Sequence, residues 1–182
     1  CLEKGARVAV LSRNCIQYME IMFASARTGL ITLPLNWRLS DPELTRVLAD
    51  GEPAVVFFSQ EYQSVADSLA QHAPDIRWIG FDDLGSSEYE QLITTCSDAE
   101  PAASADVVGS DPVLILYTGG TTGKSKGALH THHSLFMGMI NQTVAERIVP
   151  SDVYMLTGQM FHIPVALAMN YTAHGCPVVL IN

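Results

Sequence analysis

Cysteine is scarce and scattered: Cys1, Cys15, Cys96 and Cys176 share no C-x-x-C spacing. Such a set builds neither a zinc site nor a dense disulfide framework, and it fits reduced thiols in a cytoplasmic protein. Charge is thin as well. Only 16% of residues are Asp, Glu, Lys or Arg, and they sum to a formal −9. The few Lys and Arg form no cluster or stripe, which argues against nucleic acid as a partner, because binding a phosphate backbone needs one. No apolar run reaches the roughly 18 residues of a membrane span. No signal peptide, internal repeat or low-complexity tract is visible.

Apolar residues are plentiful, 48% of the 182, and their spacing alternates between strand and helix patterns. Arg7–Leu11 reads as a strand. Ser12-Arg13-Asn14 offers a turn and an N-cap for a helix over Cys15–Thr28, with Gly29 placed as a C-terminal stop. Leu30–Leu35 reads as a second strand. Ser40-Asp41-Pro42-Glu43 starts a helix that ends at Gly51, with a capping hydroxyl, a first-turn proline and acids on the positive end of the dipole. Strand Ala54–Phe58, helix Glu61–His72, strand Arg77–Phe81 and a weaker helix Ser87–Thr94 follow. Residues 97–110 have no apolar period and read as a linker or surface loop. Beyond them come a strand over Val113–Tyr117, a short strand Ala128–His130, a helix capped by Thr131 and running to Arg147, a strand Asp152–Leu156, a helix Pro164–Ala173 and a final strand Val178–Ile181.

This order predicts an α/β fold, a largely parallel sheet flanked by helices. Residues 1–96 form a first α/β part and 111–182 a second. The chain opens within a few residues of a strand and closes on another, so it reads as an excised piece of a longer protein. Apolar surfaces left uncovered by such a cut would favour homo-oligomers.

The chemistry concentrates in Thr118–Gly127, TGGTTGKSKG, directly after the strand ending at Tyr117. Glycines let several backbone N–H groups approach one point, and hydroxyls and ammonium groups beside them suit a phosphate chain. In a parallel sheet, ligands gather at the carboxyl ends of strands, where this loop lies. A Walker loop, the mark of a P-loop NTPase, requires a glycine where Thr118 stands and opens directly into a helix. Here a strand follows, and that reading is the remote alternative.

The stretch Leu116–Leu135 resembles the phosphate-binding signature of the adenylate-forming superfamily, which holds acyl-CoA synthetases, adenylation domains and luciferase. Nine of the ten signature positions match between Thr118 and Gly127; Ser125 stands where the family usually has proline. RVAVLSRN and LPLNWRLS resemble the preceding segment of fatty-acyl-CoA and related acid–CoA ligases. Met160-Phe161-His162 resembles their downstream P-[LM]-F-H, although the H-x-x-G-L that follows there is replaced by a stretch starting Ile163-Pro164-Val165.

The resemblance implies part of the large N-terminal domain of an acid–CoA ligase, most like a fatty-acyl-CoA synthetase. Such an enzyme joins a carboxylic acid to ATP, releases pyrophosphate, and passes the acyl group to CoA. It implies that Thr118, Gly119, Gly120, Thr121, Thr122, Gly123 and Lys126 bind the phosphates, with Lys126 and His162 catalytic, the latter beside the substrate carboxylate. Lys124 is a solvated neighbour, and Trp37 and Arg38 are packing and surface groups. His130, His132 and His133 read as structural or solvated, so no metal ligand is expected here. The Mg2+-binding glutamate, the ribose-binding aspartate and the C-terminal catalytic lysine of the family lie beyond residue 182, so the isolated chain is expected to be inactive. A non-catalytic binding module on the same fold is the alternative.

Overall fold

The computed structural model describes residues 2–82, 85–97, 99, 106–118 and 125–182. The elements run β1 (Arg7–Leu11), α1 (Ile16–Thr28), β2 (Ile31–Pro34), α2 (Asp41–Gly51), β3 (Val55–Ser59), a 3-10 turn at Gln60–Tyr62, α3 (Gln63–Ala70), β4 (Arg77–Phe81) and α4 (Glu88–Thr95). They continue with β5 (Pro112–Thr118), β6 (Lys126–Thr131), α5 (His132–Glu146), β7 (Tyr154–Leu156), α6 (Pro164–Ala173) and β8 (Val178–Leu180).

Six strands form one sheet in the order β4-β3-β1-β2-β5-β6. The first five are parallel, and β6 runs antiparallel against β5 at one edge. β7 and β8 pair in parallel as a separate two-stranded sheet rather than extending the large one. Both faces of the large sheet are covered, which is why β1 reads as an unbroken apolar run. On one face Val8, Val10, Leu114 and Leu116 pack with Tyr18, Ile21 and Met22 of α1, Tyr89 of α4 and Val165, Ala168 and Met169 of α6. On the other, Ala9, Leu11, Leu33 and Val56 pack with Leu44, Val47 and Leu48 of α2 and Ala66 and Leu69 of α3. Each fully buried Val or Leu contributes about 1.5–3 kcal/mol, so these two layers carry the fold.

Helix ends follow the local chemistry. Glu43 accepts hydrogen bonds from the backbone N–H of Ser40 at 2.9 Å and from its hydroxyl at 2.6 Å, closing the start of α2 and holding the Glu43 carboxyl below its ordinary value. Gly29 ends α1 in the left-handed conformation with φ 75°, a position that favours glycine. Thr131 caps α5, accepting from the Ser134 N–H at 3.1 Å. Asn14 behaves otherwise than its sequence context suggests: α1 is preceded by Cys15 without a side-chain cap, and the Asn14 amide is committed elsewhere. Of the linker read at 97–110, residues 98 and 100–105 lie outside the described residues; 106–110 carry no strand or helix.

The chain leaves β1 toward α1 on one face and leaves β3 toward α3 on the other. The carboxyl ends of these adjacent strands therefore flank a topological switch point, the position where open α/β sheets hold ligands.

Candidate active site

β5 and β6 form the arms of a hairpin whose neck lies at residues 117–118 and 125–127. Thr118 pairs with Lys126 and Tyr117 with Gly127. The Ser125 hydroxyl donates to the Thr118 carbonyl at 2.7 Å, and the Thr118 hydroxyl donates weakly to the Lys126 carbonyl at 3.4 Å. Ser125 thus ties the two arms with a bond that proline could not make. Gly119, Gly120, Thr121, Thr122, Gly123 and Lys124 lie outside the described residues. Lys126 is exposed at the head of β6 and makes no ion pair among the described residues.

Gly127 is required by close packing. A Cβ there would stand 2.8 Å from Ile115 Cγ2 and 3.3 Å from the Tyr117 ring. Tyr117 in turn donates its hydroxyl to the Asp50 carboxylate at the end of α2, and burial, then that hydrogen bond, pushes the phenol well above its ordinary value. The neck is therefore braced from below by α2.

His162 arrives from the other side, in the turn between β7 and α6. Its N–H donates to the Gln159 carbonyl at 3.1 Å, and its Nδ1 accepts from the Ile163 N–H at 2.8 Å. With Nδ1 accepting, a ring proton sits on Nε2. The ring is exposed, so Nε2–H is a donor available at the surface.

Two contacts bring this turn to the carboxyl edge of the large sheet. Asn14, 3% exposed just past β1, accepts from the Met160 N–H at 2.9 Å and donates to the Gly158 and Ile181 carbonyls at 2.8 and 2.9 Å. Trp37, just past β2, donates its indole N–H to the Gln159 side-chain oxygen at 3.1 Å and meets the Phe161 ring edge-on. The guanidinium groups of Arg38 and Arg13 stand 4.2 and 4.9 Å from the Trp37 ring, and Arg13 is ion-paired to Glu61 at 3.1 Å. Arg38 is an exposed group packed on the Trp37 and Phe161 rings, while Trp37 both packs and bonds the turn that carries His162. The carboxyl edge carries both the hairpin neck and His162, and no hydrogen bond or ion pair joins them among the described residues.

Among the described residues no three His, Cys, Asp or Glu side chains could hold a metal ion. His130, His132 and His133 serve the junction of β6 and α5 through their backbones, with the N–H groups of His132 and His133 on the Asp111 and Gly109 carbonyls. No disulfide joins Cys15, Cys96 and Cys176. No helix among the described residues is long and apolar enough to cross a membrane.

The AMP-binding enzyme family model matches residues 2–182. The chain belongs to that family. As an AMP-binding family member it is 35% identical over 158 residues to indoleacetate–CoA ligase of Aromatoleum aromaticum, covering 86% of this chain and 31% of that protein. It is 32% identical over 176 residues to the long-chain-fatty-acid–CoA ligase FadD13 of Mycobacterium tuberculosis, covering 94% and 34%. The inhibitor-bound N-terminal domain of FACL13 from Mycobacterium tuberculosis superposes with a TM-score of 0.89 at 28% identity, covering 99% of this chain and 45% of that one. ATP-bound MatB from Rhodopseudomonas palustris superposes at 0.86 and 26% identity, covering 100% and 36%. This AMP-binding chain therefore spans about a third of the length of the curated relatives it matches, and its mostly parallel sheet with flanking helices is that of acyl-CoA ligase N-terminal domains.

Proposed function

We propose that this chain is the phosphate-loop portion of an acid–CoA ligase, most like one for fatty acids. The observation that carries the reading is the Thr118–Gly127 signature set on a braced hairpin neck at the carboxyl edge of a parallel sheet. A substrate carboxylate oxygen attacks the α-phosphorus of ATP, an acyl–AMP anhydride forms, and pyrophosphate leaves. The CoA thiol then attacks the acyl carbon and AMP departs. The first step needs no protein nucleophile. It needs the attacking oxygen and leaving group held in line and the growing charge neutralised.

In this reading Thr118, Gly119, Gly120, Thr121, Thr122 and Gly123 supply hydroxyl and N–H donors to the β- and γ-phosphates. Lys126 places a positive charge on the departing pyrophosphate. His162 offers Nε2–H to the substrate carboxylate. The magnesium ion that accompanies ATP finds no ligand cluster among the described residues, and no step is assigned to it here. A cytoplasmic location agrees with the lack of a disulfide among Cys15, Cys96 and Cys176.

The test is pyrophosphate exchange in the full-length ligase. A charge-assisted hydrogen bond is worth roughly 1.5–3 kcal/mol, so Lys126→Ala is expected to slow adenylation about tenfold or more. An unchanged rate would remove Lys126 from the site. The 182-residue chain alone is expected to give no exchange, and any turnover by it would contradict the reading of it as an inactive piece.

A further inference from the structure

We propose that Trp37 is a positioning residue for His162, acting through Gln159 and Phe161. The inference rests on the ligase reading of His162. Three links make it. The Trp37 indole N–H holds the Gln159 side-chain oxygen at 3.1 Å. The Gln159 backbone carbonyl holds the His162 N–H at 3.1 Å. His162 Nδ1 accepts from the next backbone N–H, that of Ile163, at 2.8 Å. The three bonds share Gln159 and His162, so the indole anchors the side chain of the residue whose backbone carbonyl closes the turn in which Nδ1 is held.

The indole is itself held in place. Arg38 stands 4.2 Å from its ring centre and also reaches the Phe161 ring at 5.7 Å. Arg13 stands 4.9 Å away, pinned by Glu61. The Tyr62 ring lies at 6.2 Å and the Phe161 ring, perpendicular, at 6.4 Å. Cations over an indole face are attracted to it, and edge-to-face rings prefer this geometry. Elements following β1, β2 and β3 therefore converge on one indole, and that indole reaches the turn carrying His162.

The test is a double-mutant cycle in the full-length ligase, read by pyrophosphate exchange. Trp37→Phe keeps a ring and loses the bond to Gln159; Gln159→Leu loses the same bond from the other end. Each is expected to lower kcat/KM for the carboxylate about fivefold, the size of one net hydrogen bond, with the KM for ATP unchanged. In a His162→Ala background both effects should vanish, because the residue through which they act is gone. Nitrogen shifts of labelled histidine should show His162 protonated on Nε2 in the native enzyme, with that preference lost in Trp37→Phe. Effects that multiply with His162→Ala, or an unchanged tautomer, overturn the proposal while leaving His162 in the site. An inert His162→Ala overturns the proposal and the His162 assignment together.

Discussion

The Asn14 side chain offers a sharp test of how the small sheet is docked on the large one. Its three hydrogen bonds reach Met160, Gly158 and Ile181, all more than 140 positions away in sequence. Asn14→Ala removes all three at once. Each net hydrogen bond is worth about 1 kcal/mol, and a buried N–H left without an acceptor, here that of Met160, costs about 1–3 kcal/mol. The loss should total about 3–5 kcal/mol, a large share of the 5–15 kcal/mol typical of a domain. At a urea dependence of about 2 kcal/mol per molar, the unfolding midpoint of the 182-residue chain should fall by about 1.5–2.5 M. Asn14→Asp adds a sign. At neutral pH a carboxylate would face two carbonyl oxygens, so that variant should be no more stable than Asn14→Ala. It should recover part of the loss on acidification, when its protonated form can donate again. Arg77→Ala is the control, since its ion pair with Glu88 is solvent-exposed and should cost under about 1 kcal/mol. An Asn14→Ala midpoint within the control's range would refute the clamp.

All six tyrosines are held above their ordinary phenol value, five chiefly by burial and Tyr171, pushed up to about 12, chiefly by its hydrogen bond to Glu146. A group whose folded pKa is raised stabilises the fold below its unfolded value of about 10 and loses that contribution as pH climbs toward the folded value; tyrosinate absorbance at pH 10 should therefore be slight for the folded chain and about half-maximal for the urea-unfolded one, and equal titrations would refute this. α5 buries none of its residues and exposes Phe136, Met137, Ile140 and Val144, the last at 74%. The 182-residue chain should therefore self-associate as concentration rises, and Phe136→Asp with Val144→Asp should weaken the association in light scattering; a monomer at high concentration in the parent chain would count against it.

Much of the fold is legible because its signals are local. Alternating apolar runs, the Ser40–Glu43 helix start, the Gly29 stop and the Thr131 cap each act within a few residues, and the structure uses all of them. The separate β7–β8 sheet is not legible. Its strands carry the same apolar signal as those of the large sheet, and nothing local specifies which sheet a strand joins. Part of the hairpin neck follows the same logic. The signature predicts that Thr118 and Lys126 belong to one loop, but not that Ser125 would close it with its hydroxyl.

Asn14 and Trp37 escaped a sequence reading for a common reason. Asn14 sits where a helix cap is expected, and capping is what a short amide usually does at such a place. Trp37 follows a proline-marked strand end, where an aromatic usually packs. In both cases the side chain instead satisfies a partner far along the chain: Asn14 takes the Met160 N–H, and Trp37 gives its own N–H to Gln159. Buried polar groups must be paired somewhere, and local sequence does not say where. The two residues meet at one turn because a parallel sheet aligns the ends of β1 and β2 on a single edge. Any segment crossing that edge meets donors and acceptors from both. The His162 turn is such a segment, so its geometry is decided by residues at the far end of the chain as well as by its own neighbours. A motif search finds the histidine; only the fold shows what holds it.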